Sequence, residues 1–351
     1  METVHIKTST EYDVLIGRGL LAQLGTLAKT VSRGDLAMLV TDDNVHALYA
    51  AQALASLQAA GFRTEVFSFA PAETSKTAQT WLSLMERLAE FGMTRSGFLV
   101  ALGGGTVSDL AGFAAATYLR GIDYINVPTT LLAMTDASVG GKTGIDLPQG
   151  KNLVGAFRQP RLVICDPDTL DTLPAGVLAD GFAEVIKYGM IGDAELLTQL
   201  KAPFAPQAEK VICRCVSQKR TLVEQDERDD GIRRLLNFGH TIGHAIETVS
   251  EYRISHGKAV AIGMAAMTRL AEHTGDCADG VFWELYDLLS QYGLPTELPY
   301  DAQTLWQAAF ADKKRQDDTL ALVVPMRRGQ CTVRKVTMED YCAMLEVCER
   351  L

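Results

Sequence analysis

The sequence lacks any long hydrophobic segment. Its longest apolar stretches, at 97–102 and 259–266, are far shorter than the roughly 20 residues that a helix needs to cross a bilayer. Residues 1–6 have neither the basic start nor the apolar core of a secretory signal. We therefore expect no membrane role and a cytoplasmic protein.

The sequence also lacks cysteines with metal-finger spacing and an excess of basic charge. The seven cysteines are an odd number without metal-finger spacing, which predicts free thiols in a reducing compartment. Basic charge is outweighed by acidic charge, and the formal net charge of −10 argues against a nucleic-acid partner. An anionic ligand must therefore meet a local group of Lys and Arg side chains.

The 351 residues, 47% of them apolar, suffice for two domains. In the first half, β-rich runs alternate with helical patterns, which predicts a mainly parallel sheet; the runs lie at 12–16, 36–40, 64–69, 97–101, 124–127 and 162–165. After residue 174, helical periodicity dominates, at 176–191, 205–225, 235–250, 257–274 and 279–291. We predict an α/β domain over 1–175 and an all-α domain over 176–351.

An apolar strand at 98–102 runs into Gly103-Gly104-Gly105 and then into a helical pattern. Such a turn lets backbone N–H groups approach a phosphate at a helix N-terminus. It has neither the usual dinucleotide spacing nor a Gly-Lys-Ser/Thr ending, so a standard Rossmann turn or P-loop is not indicated. A purely structural turn is the alternative.

Several loops combine glycine with short donors and lysines. They are 127–132, followed by Asp136, then Gly140-Gly141-Lys142-Thr143-Gly144, and 150–155 with Lys151 and Asn152. Loop donors can converge on phosphates and hydroxyls while glycine admits the ligand. A solvated turn is the alternative for 140–144.

The second half contains two motifs with metal-binding or acid–base chemistry. Glu184 and Lys187 share a helical face, although a surface ion pair would have the same spacing. His240, His244 and Glu247 also share a face, and His256 follows nearby. Clustered histidines suggest a transition metal, and spacing alone favours His240 with His244; Thr241 stands where a zinc protease has its Glu. Alternatively, these histidines hydrogen-bond to residues that bind a ligand, or cap a helix.

Read in order, these motifs resemble the 3-dehydroquinate synthase family, most densely over 98–264. The resemblance rests on Gly103–Gly105 and on the segments 127–133, 138–144, 150–152, 183–189, 236–244 and 256–264. It implies a homodimer with a Rossmann-like N-terminal NAD-binding domain, a helical C-terminal domain and an active site in the cleft between them. It also implies zinc, with cobalt possible, held by Glu184, His240 and His256, so that His244 becomes a substrate-side or proton-handling group.

The resemblance further implies conversion of 3-deoxy-D-arabino-heptulosonate 7-phosphate to 3-dehydroquinate and phosphate, in the shikimate pathway. The implied substrate shell consists of Asp136, Lys142, Asn152, Lys187, Lys219, Arg233, Asn237, His244 and Lys314. Arg120 corresponds to a family arginine that reaches the phosphate from the partner subunit.

The implied NAD-binding residues lie in the first domain. They are Asp42, Asn44, Pro71, Ala72, Glu73, Thr74, Ser75, Lys76, Gly104, Gly105, Thr106, Val107, Ser108, Asp109, Thr129, Thr130, Lys142, Lys151, Thr169, Leu170, Asp171 and Thr172. The chain departs from the family at Ala72 and Ser108, where glycine is usual or common, and at Lys258, where an acidic residue is usual.

Three alternatives to this function stay open at the level of sequence. Another sugar-phosphate cyclase, such as a 2-epi-5-epi-valiolone synthase, would share the NAD and zinc residues. Arg233, Asn237 and His244 favour the dehydroquinate pattern, because a substrate without a carboxylate would leave a buried guanidinium unpaired. A glycerol dehydrogenase-like enzyme would release reduced cofactor, and a non-catalytic NAD-binding protein would not need the polar residues present here.

Overall fold

The computed structural model describes residues 1–313 and 319–351. The strands are β1 (Glu2–Lys7), β2 (Glu11–Ile16), β3 (Leu36–Asp42), β4 (Arg63–Phe69), β5 (Phe98–Gly103), β6 (Asp123–Pro128), β7 (Lys142–Leu147), β8 (Gly150–Phe157), β9 (Leu162–Cys165), β10 (Thr319–Arg327) and β11 (Gln330–Thr337).

The α-helices are α1 (Leu24–Val31), α2 (Asp43–Val45), α3 (Ala51–Ala59), α4 (Ala78–Glu90), α5 (Gly105–Thr117), α6 (Ala175–Gly192), α7 (Ala194–Gln199), α8 (Ala208–Gln225), α9 (His240–Val249), α10 (His256–His273), α11 (Val281–Gln291), α12 (Ala302–Lys313) and α13 (Met338–Arg350).

The chain forms two compact units. The first comprises Met1–Leu173 and Ala208–Arg228, and the second comprises Pro174–Gln207 and Asp229–Leu351. Helix α8 therefore groups with the first unit, whereas the division of the sequence at 175/176 placed it in the second. The physical reason is a set of contacts that periodicity does not encode: Glu224 accepts a hydrogen bond from Lys7 N–H, and Lys219 pairs with Asp136 at 2.7 Å.

The first unit is built on a seven-stranded sheet in the order β1-β2-β9-β6-β5-β3-β4. The β1–β2 pair is antiparallel and the other pairs are parallel. All six predicted strands are present, which confirms the α/β prediction. Strand β1 and the antiparallel β7–β8 hairpin were not predicted, because the hairpin's glycines and lysines resemble loop sequence.

Both faces of this sheet are buried. Alternate β3 residues enter different cores, with Met38 and Val40 in one and Ala37 and Leu39 in the other. Side chains of α4 and α5 complete the first core, and side chains of α1 and α3 complete the second. Helices on both faces are what a parallel sheet requires, since neither face can be left in water. Because these strands run in the same direction, their carboxyl ends lie along one edge of the sheet.

The second unit is mainly helical, as predicted. The prediction of an all-α domain was nevertheless wrong in one respect, because β10 and β11 form an antiparallel hairpin. A continuous, mostly buried apolar run at 320–324 is the strand signal that the helical interpretation missed. At the centre of this unit, α10 packs against α6 and α9, and its face is lined by small residues.

No helix among the described residues is long and apolar enough to cross a membrane. No disulfide joins the seven cysteines, in agreement with the prediction from their number and spacing.

Candidate active site

Three helices of the second unit bring a carboxylate and two imidazoles together. Glu184 lies in the middle of α6, while His240 and His256 are the first residues of α9 and α10. Glu184 Oε1 lies 3.5 Å from His240 Nε2 and 3.1 Å from His256 Nε2. One ligand atom from each residue lies within 4.8 Å of the others, so a single metal ion can contact all three.

Glycines next to the histidines allow this convergence. Gly239 has φ +78°, and a Cβ there would lie 2.6 Å from the carbonyl oxygen of Val260 in α10. A Cβ on Gly257 would lie 2.3 Å from the Cα of Asp180 in α6. Both distances are below van der Waals contact, so only glycine lets the two helix N-termini approach their neighbours. The Gly-His and His-Gly pairs therefore have a steric explanation.

Each imidazole has a hydrogen-bond partner at its second nitrogen. His240 Nδ1 lies 3.1 Å from the carbonyl oxygen of Phe238, and His256 Nδ1 lies 3.3 Å from Glu247 Oε2. Burial, followed by the charge of Lys187, lowers the pKa of His240 to about 3, so this ring is neutral at physiological pH. Burial also lowers the pKa of His256, but hydrogen bonds to Glu184 and Glu247 outweigh it and raise the pKa to about 10.

The Glu184–Lys187 ion pair is buried, with each side chain only 1% exposed. The surface ion pair considered from sequence spacing is therefore wrong. Burying two charges costs free energy that close pairing only partly recovers, which is the situation expected at a site that binds a ligand.

Further predicted residues lie around this cluster. Asn237 and His244 line a cavity of about 210 Å³ together with His240, and the His244 and His240 ring centroids are 5.4 Å apart. Arg233 is buried on the turn before α9. His244 belongs to a second possible donor group, with Glu247 and His256, rather than to the group containing His240. Lys314 lies outside the described residues.

In the first unit, the triple glycine joins β5 to α5. The α5 N-terminus has no side-chain cap, and a Cβ on Gly104 would lie 3.2 Å from Thr130. The Thr129 hydroxyl is buried and has no hydrogen-bond partner among the described residues. An anionic ligand fits this place. It would accept hydrogen bonds from the uncapped N–H groups and from the Thr129 hydroxyl, and the absence of a side chain at Gly104 lets it come close to the backbone.

A charged network lies beside this turn and centres on Lys76, which is only 2% exposed. Its Nζ lies 3.0 Å from Glu73 Oε1, 3.0 Å from Asp109 Oδ2 and 3.6 Å from Asp146 Oδ1, and it donates to Asn152 Oδ1 at 2.8 Å. Burial opposes the charge of Lys76, but the carboxylates outweigh burial and raise its pKa. Burial raises the pKa of Asp109 to about 6.

The other predicted residues of the first unit follow the same sheet edge. Asp42 ends β3 and caps α2 by accepting from Asn44 N–H at 3.0 Å. The segment 71–76 follows β4, and Thr106 of α5 donates to Glu73 at 2.8 Å. The segment 169–172 forms a 3-10 turn after β9. Lys151 lies 3.8 Å from Glu73, and Ser108 donates to the Gly104 carbonyl oxygen.

The substrate-side candidates of the first unit form two groups. Lys142 and Asn152 line a cavity of about 450 Å³ together with Asp109. Asp136 and Lys219 form an ion pair, and Lys219 also donates to the Asp136 carbonyl oxygen at 2.6 Å. Gly140 and Gly141 are buried, so a solvated turn is wrong for that part of 140–144. Arg120 is exposed and has φ +67° in the turn after α5.

The departure at Ala72 has a structural counterpart. Its φ is +125°, a region that glycine adopts readily and alanine does not.

Two acidic residues beside the candidate sites were not predicted from the sequence. Asp146 joins the Lys76 network from the β7–β8 hairpin, and Asp180 accepts from Ser255 Oγ at 2.6 Å just before His256. An acidic residue two positions after the 140–144 motif was the available signal for Asp146.

Comparison with known proteins covers nearly the whole chain. Residues 66–180 match the family described as 3-dehydroquinate synthase N-terminal, and residues 181–315 match 3-dehydroquinate synthase C-terminal. The chain is 43% identical to a 3-dehydroquinate synthase of Streptococcus suis (strain 05ZYH33), over 97% of this chain and 98% of the relative.

The similar solved structures include sugar-phosphate cyclases. A 2-deoxy-scyllo-inosose synthase, complexed with carbaglucose-6-phosphate, NAD+ and Co2+, has a TM-score of 0.87 at 25% identity and covers 99% of both chains. The 2-epi-5-epi-valiolone synthase of Streptomyces hygroscopicus subsp. jinggangensis 5008, with NAD+ and Zn2+ bound, has a TM-score of 0.87 at 28% identity, again over 99% of both chains.

Proposed function

The chain belongs to the 3-dehydroquinate synthase family, and we propose that it converts 3-deoxy-D-arabino-heptulosonate 7-phosphate into 3-dehydroquinate and phosphate. The overall reaction comprises a transient oxidation, loss of phosphate, re-reduction and an intramolecular aldol closure. It is a carbon–oxygen lyase reaction of the shikimate pathway.

The observation that carries the proposal is the group formed by the buried Glu184 and the partly buried His240 and His256. One carboxylate and two imidazoles form the donor set of a catalytic zinc site, which keeps positions open for substrate oxygens. Zn2+ fits this set, and Co2+ suits the same ligands. Such an ion, when bound, supplies Lewis-acid polarisation of a substrate hydroxyl and of the carbonyl formed from it.

The first unit supplies a place for NAD+. The uncapped α5 N-terminus, the unsatisfied Thr129 hydroxyl and the Gly104 approach fit a pyrophosphate. NAD+, when bound, supplies reversible hydride transfer. In this proposal Asp42 and Asn44 contact its ribose end and the Lys76 network orients it from the loop after β4.

The remaining polar residues position the substrate. We assign Arg233 to the substrate carboxylate, since a guanidinium forms paired hydrogen bonds with carboxylates. Lys187, Lys219, Lys142 and Asn152 stabilise phosphate and enolate charge, and Asn237 orients a hydroxyl. His244 lines the cavity beside His240 and is exposed, so its ring is placed to accept or return a proton.

The substrate is tested against the sibling cyclases. The purified protein, with zinc and catalytic NAD+, is given heptulosonate phosphate, sedoheptulose 7-phosphate or glucose 6-phosphate, and released phosphate is measured. We expect release from heptulosonate phosphate alone. Release from either of the other sugars in its place would transfer the assignment to a sibling reaction.

We further propose a cytoplasmic homodimer in which Arg120 reaches the partner's site. Its exposure and left-handed backbone, next to Leu119 at φ +49°, support a turn shaped to present the guanidinium outward. Inactive Arg120→Ala and His256→Ala proteins are mixed under conditions that exchange subunits. Recovery of activity is expected, because a hybrid then has one intact site; no recovery, with exchange verified, would refute the shared site.

A further inference from the structure

We infer that Glu247 is a positioning residue that holds His256 with its Nδ1 protonated, so that the Nε2 lone pair is directed at the metal. The inference rests on the metal site proposed above. It assigns to Glu247 a role in metal affinity without making it a ligand.

The first step of the argument is the contrast between the two nitrogens of His256. Nε2 lies 3.1 Å from Glu184 Oε1, and Nδ1 lies 3.3 Å from Glu247 Oε2. A neutral imidazole has one N–H and one lone pair. If Nε2 binds the ion, Nδ1 carries the hydrogen, and the group facing it must be an acceptor. An ionised carboxylate is an acceptor only.

The second step is a comparison with His240. Its Nδ1 faces the carbonyl oxygen of Phe238, which is also an acceptor. Both imidazoles therefore have an acceptor at Nδ1 and direct Nε2 toward Glu184. Hydrogen bonds of this kind orient a metal-binding ring and raise its basicity. For His240 the acceptor belongs to the backbone, whereas for His256 it is a side chain that can be replaced.

The third step is the location of Glu247. It lies seven residues after His240 on the same face of α9, and its side chain is only 4% exposed. A carboxylate is costly to bury, and a contact with an N–H group offsets part of that cost. When an ion occupies Nε2 in place of a proton, the ring is neutral, and its Nδ1–H is the group that faces Glu247 Oε2.

Direct ligation by Glu247 is the competing role. His244, Glu247 and His256 have donor atoms within 4.8 Å of one another. Ligation by Glu247 would use Nδ1 of His256, the nitrogen that lies 3.3 Å from Glu247 Oε2. Nε2, which faces Glu184, would then no longer be the metal-binding nitrogen of His256. In the Glu184–His240–His256 group the nitrogen that faces Glu184 is Nε2, which leaves Nδ1 to donate to Glu247.

The test uses full-length protein stripped of metal and titrated with Co2+ against a chelating indicator. Glu247→Gln keeps an acceptor oxygen but loses the charge, and Glu247→Ala removes the acceptor. We expect affinity for Co2+ to weaken about 10-fold for Gln and up to about 100-fold for Ala. The visible spectrum of bound Co2+ should keep its shape, because the ligands are unchanged. Glu272→Gln, which alters a carboxylate further along α10 that accepts from Phe282 N–H, should bind Co2+ like the parent.

Three outcomes are decisive. Unchanged affinity in both Glu247 variants would overturn the positioning role. A Gln variant as weak as Ala, with an altered Co2+ spectrum, would overturn it in favour of direct ligation. Failure of the parent protein itself to bind Co2+ would instead refute the proposed metal site, which separates the two hypotheses. Thermal unfolding of the metal-free proteins shows whether each variant folds; if Ala does not, the Gln variant and its spectrum decide.

Discussion

The two units contain charged clusters of opposite design. In the first unit one lysine, Lys76, is surrounded by the carboxylates of Glu73, Asp109 and Asp146, so the cation is part of the protein. In the second unit Glu184 faces two imidazoles and Lys187, and burial keeps His240 neutral. The first cluster already contains the cation that its carboxylates surround, whereas the second has lone pairs suited to an added cation. The comparison predicts different responses to mutation.

The largest effect is expected in the second cluster. His256→Ala removes one imidazole, and loss of several kcal/mol of Lewis-acid stabilisation should lower kcat/KM by roughly 10³-fold. Bound zinc, measured by elemental analysis, should fall with it while circular dichroism stays unchanged. His273→Ala, at the other end of α10, is the matched control and should retain zinc. Full zinc occupancy in His256→Ala would contradict the ligand assignment.

A substitution in the first cluster should mainly lower the free energy of unfolding. Lys76→Met leaves three partly exposed carboxylates around an apolar side chain, and removal of one partner of a buried ion pair costs at most about 3–5 kcal/mol. The free energy of unfolding in urea should fall by that amount, and NAD+ binding should weaken. Lys201→Met, at an exposed position, serves as the control and should change unfolding by less than about 0.5 kcal/mol. If Lys76→Met unfolds with the same free energy as the Lys201→Met control, the Lys76 network does not stabilise the fold.

A pH dependence separates Asp109 from the metal-binding residues. Because burial raises its pKa to about 6 in the folded protein, against 3.8 ordinarily, Asp109 favours folding below pH 4 and loses that contribution as pH rises through 6. The Asp109→Asn variant has no carboxylate to ionise at this position. The free energy of unfolding of the variant minus that of the parent should therefore increase by up to about 3 kcal/mol between pH 4 and pH 7. Urea unfolding at both pH values measures the difference. A constant difference would contradict the raised pKa.

The smallest expected effect concerns the loop beside the first cluster. Ala72→Gly should increase the free energy of unfolding by up to about 1 kcal/mol, because φ +125° suits glycine. Ala89→Gly in α4 has helical backbone and should instead lose about 1 kcal/mol. Opposite signs of the two changes in thermal unfolding would support the strained conformation, and equal losses would argue against it.

The sequence predicts the sheet well and the grouping of residues less well. Strands 36–40 and 162–165 have the continuous apolar runs of a sheet buried on both sides, and local pattern suffices to find them. Helix α8 was assigned to the second half because its periodicity is helical and its partners, Lys7 and Asp136, are distant in sequence. The hairpin at 142–157 was missed because its glycines and lysines resemble loop sequence, and the hairpin at 319–337 was missed although 320–324 is an apolar run.

The candidate metal site shows the same limit. Spacing along α9 makes His240 and His244 neighbours, yet the atoms that converge come from three helices, and Glu184 precedes His240 by 56 positions. Gly239 and Gly257 determine that convergence through steric approach, which a one-dimensional pattern does not display. Resemblance to a family grouped Glu184 with His240 and His256, whose donor atoms lie close together in the structure, because it compares whole arrangements of motifs.

The most direct test of the central claim is the fate of the cofactor during turnover. The protein is supplied with zinc, heptulosonate phosphate and NAD+ at several times the enzyme concentration, and phosphate, dehydroquinate and NADH are followed together. We predict phosphate and dehydroquinate in equal amounts over many turnovers, with no net accumulation of NADH, because the cofactor is reoxidised within each cycle. Formation of one NADH per turnover, without phosphate release, would contradict the account and indicate a dehydrogenase.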